Sequence, residues 1–101
     1  MGDRAQQMSA LKSLGYCVRA YSPWFAAIER NRLNPSEVDH LRLYIDGLAE
    51  KLEHLAEIVT EGTVTYGQVE AVLKDLYDVG FYPAKLAITA VLHEFADEKT
   101  P

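Results

Sequence analysis

The side chains able to bind a metal or to share nucleophile and base roles are His40, His54, His93 and Cys17, and their spacing decides what they can do together. His40 and His54 lie fourteen residues apart. On a helix that is about 21 Å along one face, far beyond the reach of one metal ion. His93-Glu94 has Asp97 four residues after the histidine, where a zinc-binding helix places its second histidine. Cys17 sits between Tyr16 and Val18 with Arg19 as its one nearby cation, which is weak support for a reactive thiolate, so a packing thiol is expected. The chain has no glycine-rich phosphate loop and no nucleophile elbow. Its carboxylates are abundant because they solvate helices. These residues imply no catalytic, cofactor-binding or metal-binding site, and a non-enzymatic protein.

The elements that would position any site are helices. Val38, Leu41, Ile45, Leu48, Leu52, Leu55 and Val59 alternate intervals of three and four without a break. Three such heptads describe a helix that lies along another helix, as in a coiled coil. Tyr44 and Ile58 on one flank of this seam, with Ala49 and Ala56 on the other, widen it to the stripe of a bundle helix. Asn34-Pro35-Ser36-Glu37 carries a cap, a proline at the first position and an acid three residues after the cap, so the helix spans 35–61, with Gly62 expected to end it in the left-handed conformation. Gly47 lies on its polar face.

A second repeat, Leu11, Leu14, Val18, Tyr21, Phe25 and Ile28, gives a preceding helix over about 4–31. Ser22-Pro23 interrupts it. The register continues across the proline, which favours a kink over a fresh helix capped by Ser22. Thr65-Tyr66-Gly67-Gln68 repeats the capping logic and opens a helix over 66–79, with Val69, Val72, Leu73 and Leu76 inward and Gly80 ending it. Phe81-Tyr82-Pro83 introduces a last helix over 83–96, and 97–101 should fray. No alternating β pattern competes. The expectation is one all-α domain over 1–101: a long kinked helix and a heptad helix forming a hairpin, followed by two shorter helices. One hairpin offers its broad stripe only one long partner, so a dimer with a four-helix core is expected.

With 101 residues, 49 % hydrophobic and 25 % charged, the chain falls within the globular range. Residues 1–34 carry five basic against two acidic side chains, and 35–101 carry five against thirteen, for a net −5. Such a surface repels phosphate backbones, which disfavours DNA or RNA as a partner. One cysteine allows no intrachain disulfide, the opening residues have no signal-peptide core, and no apolar run approaches a membrane span. A cytoplasmic protein with no membrane partner is expected.

Leu41-Arg42-Leu43-Tyr44-Ile45-Asp46-Gly47-Leu48-Ala49-Glu50-Lys51-Leu52 resembles the L-R-x-x-I-D-x-L-D-x-x-L opening helix of the all-helical chorismate mutases. The resemblance covers about fifteen residues. It would imply an intertwined dimer that rearranges chorismate without a cofactor, with Arg42 gripping a substrate carboxylate. The family's aspartate after the leucine is Ala49 here, its second arginine falls at Val59, and no lysine occurs between Lys51 and Lys74. A dianionic substrate needs several cations, and these departures remove them. The match is read as the shared grammar of amphipathic helices.

Aromatic residues remain. Tyr16, Tyr21, Trp24 and Phe25 cluster around Pro23 with Arg19, Arg30 and Arg32 nearby, and Tyr, Trp and Arg are the usual anchors of protein interfaces. Tyr21 and Phe25 lie on the seam, whereas Tyr16, Trp24 and Leu43 fall away from it. The expected function is a small regulatory module that binds and modulates another protein, of the anti-activator, adaptor, antitoxin or phage-inhibitor kind. Its dimer or partner interface is expected to draw on Tyr16, Tyr21, Trp24, Phe25, Leu41, Leu43, Tyr44, Ile45, Leu48, Leu52 and Leu55. The second reading is a helical dimer that holds a small anion with Arg19, Arg30 or Arg42. Three cations converging on one cavity would favour the second; an exposed aromatic patch would favour the first.

Overall fold

In the computed structural model, which describes residues 3–81 and 84–96, the chain forms four α-helices and no strand among the described residues. They are α1 (Arg4–Glu29), α2 (Pro35–Glu61), α3 (Tyr66–Asp78) and α4 (Lys85–Glu94). Local chemistry sets three of the four starts. Asp3, Asn34 and Thr65 each accept the amide three residues on, and the side chain at that position (Gln6, Glu37, Gln68) accepts the cap's own amide in return. The box at Asp3 escapes a search for hydrophobic periodicity. α4 starts at Ala84 without a side-chain cap; Tyr82 and Pro83, where its start was expected, lie outside the described residues, as do 97–101.

Both long helices end by different means than expected. α1 stops at Glu29, two residues short of 31. Gly62 follows α2 in extended conformation, φ −166° and ψ −157°, rather than left-handed. The left-handed glycine is Gly80, φ 75°. There the Phe81 amide donates to the Leu76 carbonyl at 3.0 Å and the Gly80 amide to Tyr77 at 2.9 Å, with Leu76 and Phe81 both fully buried. This is a Schellman ending with its hydrophobic clasp.

The helices neighbour one another in a ring, α1 on α2 and α4, α2 on α3, and α3 on α4, with the α1–α2 hairpin as the most extensive contact. Gln7, itself buried, donates from Nε2 to the Glu94 carbonyl at 3.2 Å, and the Phe25 and Phe81 rings lie 5.1 Å apart. These two contacts mark where the α4 segment ends and begins along α1, so it runs antiparallel to α1 over most of that helix, from near Phe25 to near Gln7. The molecule measures 43 × 20 × 19 Å, the long dimension being close to the ~39 Å of a 26-residue helix.

The core joins Ile45, Leu48, Ala49, Leu52, Leu55, Ala56 and Val59 of α2 to Leu11, Leu14, Val18, Phe25 and Ala26 of α1 and to the inner faces of α3 and α4. The broad stripe of α2 is therefore covered by α1 and α3 of the same chain, and the argument for a second copy along this seam loses its premise. Val38 and Leu41, at the open end, stay half-buried. On α1 the buried line shifts. Tyr21, expected on the seam, is 44 % exposed and Ile28 is 51 % exposed, while Ser22 is buried and donates from Oγ to the Arg42 carbonyl at 3.3 Å. A straight helix drifts about 20° per heptad against a strict seven-residue repeat, so Leu14 and Gly15 are both buried but one heptad on the inward position is 22 and no longer 21. α1 runs unbroken through Pro23.

Two helical glycines carry opposite burdens. A Cβ at Gly15 would meet Glu53 Cγ at 3.2 Å and the Ala49 carbonyl oxygen at 3.4 Å, whereas one at Gly47 would meet nothing within 4 Å. Gly47→Ala should therefore raise unfolding stability by up to about 1 kcal/mol. Gly15→Leu should lower it by about 1–3 kcal/mol, because a side chain must be forced between α1 and α2. Urea titration of the two variants against the native chain checks both signs.

Candidate functional site

The residues named for possible chemistry do not converge. Arg19 is committed to Glu53, donating from Nη2 at 2.7 Å and from Nε at 3.2 Å, and this pairing holds its guanidinium pKa above the usual value. Arg30 lines a groove of about 400 Å³ at the hairpin turn with Asn31, Leu33, Pro35, Val38 and Asp39. Arg42 is exposed and lines none of the three grooves described. The largest, about 680 Å³, runs between α2 and α3 over Gly47, Lys51, Leu55 and Val72, with Glu50, His54 and Gln68 at its edge. The third, about 380 Å³, runs beside Tyr66, Lys74, Tyr77 and Leu92. Each holds a single lysine or arginine, too few to grip a dianion.

Nor do the histidines assemble a metal site: no group of three His, Cys, Asp or Glu side chains is placed to hold an ion among the described residues. His54 Nδ1 approaches Glu57 at 3.8 Å on the open surface. Asp97, the residue spaced to pair with His93, lies outside the described residues. Cys17 is half-buried, and desolvation pushes its thiol pKa up. Desolvation, then the charges of Asp75 and Asp78, likewise raise the Tyr44 phenol, which places Tyr44 beside the end of α3.

The expected interface residues divide. Phe25, Ile45, Leu48, Leu52 and Leu55 are buried inside the single chain, and Leu41 is half-buried against the same core. Tyr16, Tyr21, Trp24, Leu43 and Tyr44 are exposed. Leu43, 67 % exposed, stands nine residues and so about 180° from Leu52, on the back of α2. It is a lone apolar side chain of the ordinary kind.

What remains together is one face of α1. Trp24, 54 % exposed, meets Tyr21 edge-on with ring centroids 6.0 Å apart and planes at 71°, an arrangement aromatic pairs favour. Ala20, Ala27 and Ile28 are exposed within about 60° of Trp24 around the helix, and Tyr16, 76 % exposed, stands about 80° away. Between Lys12 and Glu29 the sole charged residue is Arg19, about 140° from Trp24 and turned to Glu53. Half of the eight large exposed hydrophobics among the described residues (Tyr16, Tyr21, Trp24 and Ile28) lie on this one uncharged face. α4 does not cover it, since the α1 residues that meet the α4 segment, Gln7 and Phe25, both point about 100° away from Trp24. The periodicity put Ile28 on the seam and passed over Ala20 and Ala27. The signal that exposes them is the missing charge between Lys12 and Glu29.

No protein family, curated protein or solved structure matches this chain. Among the described residues no helix is long and apolar enough to cross a membrane.

The desolvated thiol gives a direct check on the packing of α1. Cys17 should be alkylated by iodoacetamide at mildly alkaline pH more slowly in the native protein than in urea, because the reactive thiolate is the form that burial disfavours. Equal rates in a mass-spectrometric time course would place the thiol in open solvent.

Proposed function

We propose that this protein is a non-enzymatic interaction module, a small regulatory protein that binds another protein through the uncharged aromatic face of α1 and modulates it. The observation that carries this reading is Trp24, more than half exposed, edge-stacked on Tyr21 and set in a face without charge. Depletion of charge with enrichment of Tyr and Trp is the compositional mark of an interface centre. The flank of α1 that carries these residues gains the monomer little stability, so a partner accounts for their apolar surface better than the fold does. The dispersal of Arg19, Arg30 and Arg42 weighs against the second reading, an anion-holding enzyme, by the criterion of three cations in one cavity. A cytoplasmic setting belongs to the same reading, supported by a single cysteine and no membrane-length apolar helix among the described residues.

Trp24→Ala separates partner binding from folding. Measured in dilute solution, it should change unfolding stability by less than about 1 kcal/mol, as surface truncations do. Immobilised native protein should retain a specific protein from lysate of the native host that the variant releases. A loss of about 3–5 kcal/mol would instead mark Trp24 as a packing residue. Equal retention by both proteins would remove the α1 face from the function.

A further inference from the structure

We propose that in the free protein a second copy of this chain occupies the face around Trp24, with α1 packed against an antiparallel α1 across a two-fold axis. The proposal rests on the reading of that face as a protein-binding surface and names its first occupant. Charge is the first argument. The chain carries a net −5, and residues 35–101 bring thirteen acids against five bases, so copies approaching through α2 or α3 would set acid against acid. The arc from Ser13 to Ile28 around Trp24 offers an approach without that repulsion, over about 24 Å of helix.

Shape is the second. Large and small side chains alternate along the centre of the arc: Tyr16, Ala20, Trp24, Ala27. An isologous contact must fit a surface to itself. Reversal does this: with the two helices antiparallel and centred near residue 22, each Trp24 lies against the other copy's Ala20 and each Tyr16 against the other's Ile28. Arg19 stays outside the contact, bound to Glu53 of its own chain. A face without charged groups also has little with which to select a foreign partner electrostatically, whereas a face that complements itself always finds its match in another copy.

The test uses mass and the sole tryptophan together. Light scattering on the intact protein should give twice the 11.3 kDa chain mass at high concentration and the single mass on dilution. Iodide quenching of Trp24 emission should fall several-fold as the dimer forms. Ala20→Glu and Ala27→Glu, exposed positions that accept a good helix former, should give monomers at every concentration, with unchanged helical content and the thermal midpoint of the dilute native chain. A native chain that stays monomeric and equally quenchable up to the solubility limit overturns the pairing. If it still retains a lysate protein through Trp24, the binding face stands; if retention ignores Trp24, both readings fall. A dimer that persists in both glutamate variants, or one whose Trp24 is quenched as in the monomer, places the contact elsewhere and overturns the proposal.

Discussion

The buried stripe on α2 is too wide for one helix to cover, and the rest of the architecture answers that constraint. Ile45, Leu52 and Val59 run down its middle, Ala49 and Ala56 form one edge, and Leu48 and Leu55 form the other. Leaving a leucine of this stripe in water would forgo roughly 1.5–3 kcal/mol. The alanine edge lets α1 approach until Gly15 sits within contact of Ala49 and Leu52. The leucine edge calls for a second neighbour, supplied by α3, and α4 then closes the ring onto α1. α4 lies along the inner side of α1 between Phe25 and Gln7, and the opposite flank of α1 stays exposed among the described residues. The face proposed as a binding surface is thus the outer side of a helix whose neighbours α2 and α4 both pack on its inner side.

Much of this was legible in the sequence. Asn34-Pro35-Ser36-Glu37 and Thr65-Tyr66-Gly67-Gln68 state their caps in four letters, because a capping box is local chemistry. The heptad positions of α2 from Ile45 onward are buried as their spacing requires. Other features depend on what lies next to a helix. Periodicity measures the width of a stripe and says nothing of who covers it, so the same seven residues fit a second copy as well as α1 and α3. Ser22 and Tyr21 exchange places because a few tens of degrees of drift decide which of two adjacent residues faces inward, and Ser22 can go in because the Arg42 carbonyl is there to accept its hydroxyl. Gly62 and Gly80 look alike in sequence; only Gly80 is followed by a Phe that the core can clasp against Leu76.

The candidate site was legible in composition and obscured by register. Trp24 and Tyr16 stood out as aromatic residues off the seam, and both are exposed. Leu43 was grouped with them on the same logic, yet a residue on the back of α2 cannot join a face of α1 that looks away from α2. Tyr21, Ala20 and Ala27 complete that face, and each needs the true inward line of α1 before its outward position can be read. Chemistry by convergent side chains is harder still to read from one sequence: Arg19, Arg30 and Arg42 were equally plausible anion ligands until Glu53 was seen to hold the first.

Pro23 ties the two sides of α1 together. A proline inside a helix removes one amide and crowds the preceding turn, at a cost of about 3 kcal/mol in an unsupported helix. Here α1 continues through it, and the residues around it divide cleanly by side. Val18, Ser22, Phe25 and Ala26 are buried against α2 and the α3–α4 junction, which fixes the helical path from within. Pro23 itself is exposed, so the Arg19 carbonyl that would have received its amide can turn to water, as solvent-side carbonyls do on curved helices. The same geometry holds Tyr21 and Trp24 on a backbone with one fewer degree of freedom. On the proposed reading, a rigid path beneath two edge-stacked rings would leave little order to be imposed by a partner, and reduced ordering cost is one of the main ways a small interface gains affinity. The proline that looks like a helix breaker in the sequence thus lies on the solvent side of α1, where its stiffness would serve the proposed binding face.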